Sequence, residues 1–154
     1  MQTLSESENE SEWSARIIND AAGIRRILEE THRIAVLGIK IDASQPAYYV
    51  PEYAKEAGYE IVPVPVYYPD ATVILGEKVF RTVAGVPGEV DMVNVFRRPA
   101  DIDAHVDDII AKKPRSVWFQ AGIRNDGAAE RLARAGIEVV QDRCLLVELR
   151  RIGK

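Results

Sequence analysis

A few positions in this 154-residue chain have the side chains or backbone needed to hold an anion. Gly38 ends the apolar run Ile34–Leu37, and without a Cβ there the backbone N–H groups can approach a phosphate. Lys40 follows in the same loop. Pro46 then opens a helix-like segment whose free N–H groups and dipole favour negative charge at its start. Arg97 and Arg98 end a second apolar run, "VNVFRR", and an arginine fork can donate two bonds to one phosphate. Gln120 ends a third, "VWFQ", where a polar group closing a buried strand needs partners. The chemistry this set suggests is diphosphate binding. No catalytic set is visible, since the chain has neither a P-loop nor a G-x-S-x-G elbow.

These residues require a scaffold that brings several strand ends together. Five strands are expected at Ile34–Leu37, Glu60–Val66, Asp91–Phe96, Ser116–Gln120 and Ile137–Val140, with a short edge strand near Lys78–Phe80. Their apolar runs are nearly continuous, as in parallel strands buried on both faces. Helices are expected over Trp13–Glu30, with Gly23 a potential break, Pro46–Ala57, Pro99–Lys112, Asp126–Ala135 and Arg143–Arg151. Gly58 and Gly136 stand as stops and Asn125 as an N-cap. Pro51 makes the start of the second helix irregular or marks where it becomes regular. The alternation predicts an α/β fold, Rossmann-like and doubly wound, with a mainly parallel sheet and helices on both faces. Ligands of such sheets bind outside the carboxyl ends of the strands, where strand order reverses. That crevice lies between the first strand and the Asp91–Phe96 strand, so Gly38, Arg97 and Gln120 should share one edge.

Composition narrows the function. Hydrophobic content of 47% and charged content of 29% describe an ordinary globule, expected as one domain over 13–154 behind a disordered acidic tail, 1–12. A net charge of −4 argues against binding nucleic acid through bulk charge. One cysteine, Cys144, excludes an internal disulfide, and the acidic N-terminus is unlike a signal peptide. No apolar run is long enough to span a membrane, so a cytoplasmic protein is expected. "DIDAHVDD" (Asp101–Asp108) fits a solvated helix face better than a metal site. Cys144, after Asp142-Arg143, fits either a reactive thiol near a helix start or a small buried residue. A nicotinamide or flavin site would place an Asp or Glu at the end of the second strand, about 20 residues after the glycine loop. Here that strand ends "IVPVPVYY", with no acid before Asp70 and no G-x-G-x-x-G upstream.

Several segments, in order, resemble the small stand-alone CoA-binding proteins related to the CoA-binding domain of the succinyl-CoA synthetase α subunit. They are "IAVLG" with "QPAYYV", "AGYEIVPV", "LGEKVF", "VDMVNVFR", "VWFQAGI" and "VVQDRC", covering Asn19 to Glu148. The resemblance implies coenzyme A or an acyl-CoA as ligand. It implies a phosphate loop of Gly38, Ile39, Lys40, Ser44, Gln45, Pro46, Ala47 and Tyr48. Pro63 and Val64 would flank the adenosine, Val95, Phe96 and Arg97 would lie along the nucleotide, and Gln120, Ala121 and Gly122 would approach the pantetheine arm. Two positions depart from the family pattern. Gln45 stands where many relatives have Arg, and "VPVYYP" puts Tyr67 where many have Lys or Arg, so positive charge is lost where a ribose 3′-phosphate would be held. The relatives' phosphohistidine chemistry belongs to a second domain and does not carry over. The expected function is a non-catalytic carrier, sensor or regulatory module for a small-molecule nucleotide, with no nucleic-acid or membrane partner. A homodimer or a protein partner stays open. The alternatives are an NAD(P)-dependent oxidoreductase and an interaction module with a vestigial nucleotide pocket.

Overall fold

Strand β1 (Arg33–Leu37) is buried from Ile34 onward and lies inside a five-stranded parallel sheet. The computed structural model describes residues 12–154. In chain order its elements are α1 (Ala21–Glu30), β1, α2 (Pro46–Glu56), β2 (Glu60–Val64), β3 (Val73–Ile74), β4 (Glu77–Lys78), β5 (Met92–Val95), α3 (Val106–Lys112), β6 (Ser116–Phe119), α4 (Asp126–Arg134), β7 (Glu138–Val140) and α5 (Leu145–Arg151). The strand order β2-β1-β5-β6-β7 reverses direction between β1 and β5, as expected from the sequence. In register, Leu37 pairs with Val64 on one side and Val95 on the other, so three strand ends stand abreast.

Side-chain alternation along the strands builds two cores. Ala35, Leu37, Val93, Val95, Val117 and Phe119 meet Val106 and Ile109 of α3 and Ala129 and Leu132 of α4 on one face. Ile34, Val36, Met92 and Trp118 meet Ile24, Leu28, Val50, Ala54, Leu145 and Leu149, from α1, α2 and α5, on the other. This is the doubly wound Rossmann-like arrangement. Among the described residues no helix is long and apolar enough to cross a membrane.

Several boundaries differ from those expected. The helix predicted over Trp13–Glu30 starts at Ala21, where the Asp20 side chain accepts the Gly23 N–H at 3.2 Å, so Gly23 lies in the first turn and breaks nothing. A separate helical turn stands at 12–14, and the residues after it, Arg16 to Ile18, extend along the edge of β7. The Ile18 N–H donates to Val139 O at 2.8 Å, and Val139 N–H to Arg16 O at 2.8 Å. Ile17 and Ile18 therefore point to opposite cores, the alternation of a strand. The short strand near Lys78–Phe80 is instead the second half of a β3–β4 hairpin separate from the main sheet. Its turn, Leu75-Gly76, has positive φ at both residues (55° and 74°), the requirement of a type I′ turn. It stays tied to the sheet through Phe80 N–H, which donates to Pro63 O at 3.0 Å. The helix predicted over Pro99–Lys112 is two 3-10 turns, Pro99–Asp101 and Asp103–His105, followed by α3. The tail expected over 1–12 lies, except for Glu12, outside the described residues.

Candidate functional site

The carboxyl ends of β1, β5 and β6 open onto a groove of about 400 Å³. Gly38 makes the close approach of β1 and β5 possible. Its φ is +86°, and a Cβ there would stand 2.3 Å from Phe96 O and 3.2 Å from the Arg97 side chain. The backbone around it is tightly paired, Gly38 N–H donating to Val64 O and Phe96 N–H to Leu37 O, both at 2.9 Å. Beyond it the chain crosses to α2, and Lys40 N–H donates to Ala47 O at 3.2 Å, which holds the loop against the first turn of the helix. Gln45 is the N-cap residue but makes no side-chain cap bond, and its Oε1 is buried without a hydrogen-bond partner among the described residues. Among the described residues the half-buried Lys40 has no carboxylate within ion-pair distance, although most of the other cations there are paired.

Arg97 stands on the opposite wall, its side chain 15% exposed. Nε–H donates to His105 Nε2 at 3.3 Å, Nη2 lies 3.7 Å from Asp101, and the guanidinium sits 5.9 Å from the centre of the Tyr67 ring. His105 is thus an acceptor on that nitrogen. Burial first and the Arg97 charge second push its pKa below the usual imidazole value, against the pull of Asp108 and Asp101. Arg98 is far more exposed and is bound to Asp101 at 2.8 Å, which holds that carboxyl below its ordinary range. At the third strand end Gln120 is 4% exposed. Its Oε1 accepts from Leu145 N–H at 3.2 Å, capping α5, and from Asn94 Nδ2 at 3.4 Å, while its NH2 group has no acceptor among the described residues.

Nine of the predicted site residues line this groove together: Lys40, Gln45, Pro46, Ala47, Phe96, Arg97, Gln120, Ala121 and Gly122. Gly38 does not line it: the residue is buried at the end of β1, its N–H is taken by Val64 O, and it serves the groove by letting β1 and β5 approach. The side chains of Ile39, Val64 and Val95 belong to the cores, and Pro63 is buried within β2. None of these four lines the groove, contrary to expectation. The Ser44 hydroxyl donates to Asp42 at 2.7 Å, and Tyr48 is half-buried in the first turn of α2. Pro99 and Ile123 also line the groove and were missed, because the strand-end signal stops one or two residues short of each. A second recess of about 390 Å³, walled by Leu37, Pro65, Val66, Arg81, Thr82, Ala104, His105 and Asp108, opens at the end of β2. His105 joins the two, lining this recess while its ring holds Arg97 of the groove. No sequence signal marked His105, because a continuous helix over Pro99–Lys112 leaves its facing undetermined.

Comparison with known proteins agrees with this fold. The family described as "CoA binding domain" matches residues 32–150. YneT, an uncharacterized protein of Bacillus subtilis, is 32% identical over 126 residues, covering 82% of this chain and 91% of that protein. A solved structure from Thermus thermophilus is 38% identical with a TM-score of 0.80, covering 87% of this chain and 99% of that one. A hypothetical protein from Pyrococcus horikoshii is 30% identical, also with a TM-score of 0.80, covering 86% and 92%. The dinucleotide-forming acetyl-coenzyme A synthetase 1 of Ca. Korarchaeum cryptofilum shares the fold over 70% of this chain and 25% of its own, at 21% identity and a TM-score of 0.59.

Proposed function

This chain belongs to the CoA-binding domain family, and from that premise we propose that it binds coenzyme A or an acyl-CoA along the carboxyl edge of its sheet, as a non-catalytic carrier, sensor or regulatory module. The observation that carries the proposal is the meeting, at one switch point, of the Gly38 turn, the start of α2 without a side-chain cap, Lys40, which has no ion-pair partner among the described residues, and the braced Arg97. A diphosphate fits between Lys40 and Arg97 over the first turn of α2. The Gln120 NH2 group, which has no acceptor among the described residues, supplies a donor toward the groove it lines. Phe96, Pro99, Ala121 and Ile123 give the apolar contact that a pantetheine arm needs, and the recess beside β2 has room for the nucleoside. The polar lining suits holding an anion and amide groups more than attacking a carbonyl or moving a proton, which supports the non-catalytic role. A cytoplasmic setting, where Cys144 stays a thiol, is part of the proposal.

Thermal shift and titration calorimetry with CoA, acetyl-CoA, NAD and NADP test it, on the wild type and on Arg97→Ala. At 100 times its Kd a ligand stabilises by about 2.7 kcal/mol, so CoA should shift the melt clearly and less so in the variant. Silence toward millimolar CoA would overturn the proposal. Response to NAD or NADP alone would favour the oxidoreductase, and response to no nucleotide would favour an interaction module.

A further inference from the structure

The recess at the end of β2 has an electrostatic character that the proposed ligand does not require. In sheets of this kind the ribose hydroxyls of a bound nucleotide lie at the end of the second strand, here beside Pro65 and Val66. We infer that this chain reads the diphosphate of its nucleotide but not a phosphate on the ribose, so that CoA and dephospho-CoA bind alike. The inference rests on the CoA reading and adds a statement of specificity to it.

The charged and titratable groups around the recess decide the matter. Arg81 is the one lining residue with a permanent positive charge, and its guanidinium is already in use. It donates to the carbonyls of Tyr67 (3.2 Å), Tyr68 (2.7 Å), Pro69 (3.1 Å) and Ala71 (2.8 Å). Withdrawing it toward a phosphate would break all four bonds, leaving only Tyr68 O with another partner among the described residues (Ala71 N–H at 3.0 Å), and would release a loop in which Tyr68 is held at φ +61°. His105 accepts from Arg97 on Nε2, so its ring presents no cation. Asp108 brings a carboxylate, fixed by Val83 N–H at 2.8 Å and Ala84 N–H at 3.0 Å, and this charge opposes a phosphomonoester. Thr82 adds only a neutral hydroxyl, and Pro65 and Val66 none. Arg98 is held by Asp101 and lines the other groove, as do Arg97 and Lys40. The wall therefore accepts a neutral ribose and leaves a 3′-phosphate facing solvent.

Calorimetric titration of the full chain with CoA and with dephospho-CoA tests this, together with Val66→Arg. Val66 is 38% exposed at the mouth of the recess, so the added side chain has room. In the wild type the two affinities should agree within about threefold, less than one charge-assisted bond is worth. The Val66→Arg variant should acquire a preference for CoA of about tenfold, the size of one such bond. A wild type that binds CoA at least about tenfold more tightly than dephospho-CoA would overturn the inference while leaving the CoA reading intact. A Val66→Arg protein that binds both ligands without preferring either would overturn the placement of the ribose. Binding of neither ligand by the wild type would overturn the CoA reading and this inference with it.

Discussion

At Gly38 one absent methyl group sets the spacing of the site. A Cβ would meet backbone, Phe96 O at 2.3 Å, and not the end of a flexible side chain, so β1 and β5 would have to separate. Gly38→Ala should destabilise the fold by more than the roughly 1–2 kcal/mol that a left-handed backbone alone costs an L-residue, measured by urea denaturation; a loss under about 0.5 kcal/mol, the scale of an ordinary surface change, would mean the strand ends yield easily. Arg97 tests fork against charge. Lysine keeps the charge but loses the Nε bond to His105 and the paired geometry. Arg97→Ala should weaken CoA binding by about tenfold or more, the size of a charge-assisted hydrogen bond, and Arg97→Lys should recover only part of it in calorimetry. Equal affinities for the two variants would show that the fork is not used. Gln120 carries a structural duty beside its place in the groove. Gln120→Leu strands Leu145 N–H in the interior and leaves Asn94 Nδ2 only Trp118 O, at 3.4 Å, and should cost about 1–3 kcal/mol in a chemical melt even without ligand.

At the scale of elements, the segment between β5 and α4 shows what the sequence could and could not reveal. The parallel strands were visible because their runs are apolar throughout, and the switch point followed from their order. The apolar residues at 102, 106 and 109 keep the spacing of a single helix face, so nothing local marks a break after Pro99. The interruption comes from a residue far along the chain. Asn125 Nδ2 donates to Pro99 O at 2.9 Å and to Asp103 at 3.3 Å, while its Oδ1 caps α4 by accepting Ala128 N–H at 3.0 Å. Ile102 N–H and His105 N–H close tight turns on Pro99 O and Ile102 O. No local pattern contains that tertiary bond, so His105 and its hold on Arg97 were hidden with it. The capping role of Asn125 was visible and its second role was not. Asn125→Asp separates the two, since aspartate still caps but cannot donate to Pro99 and faces Asp103. Asn125→Ala should lose about 1 kcal/mol for the cap alone, with more for the lost Pro99 bond. Asn125→Asp should keep α4 but raise hydrogen-exchange rates at Ile102 and His105. Unchanged exchange there would mean that the turns stand without Asn125.

At the scale of the whole molecule, His105 links stability to pH through the same contact that braces the site. Its folded pKa lies below the unfolded imidazole value of 6.5, because burial and the neighbouring Arg97 disfavour the charged ring. The unfolded chain therefore binds more protons than the folded one between the two values, and stability must rise with pH across that interval. The contribution is complete above about pH 6.5 and is lost as pH falls through the folded pKa. Protonation also turns Nε2 from acceptor to donor, so Arg97 loses its brace over the same range. Asp101, lowered chiefly by its bond to Arg98, acts with the same sign in a more acid window, below its ordinary value of 3.8. Stability of the wild type and of His105→Gln, measured by denaturant melts from pH 7.5 down to pH 4.5, should run parallel near neutrality, with the wild-type curve falling more steeply below about pH 6.5. Two curves that stay parallel throughout would show that the imidazole titrates alike in the folded and unfolded chains. CoA affinity, followed over the same range, should weaken on acidification in the wild type as Arg97 is released and change less in the glutamine variant, whose neutral side chain keeps an acceptor for Arg97 at every pH.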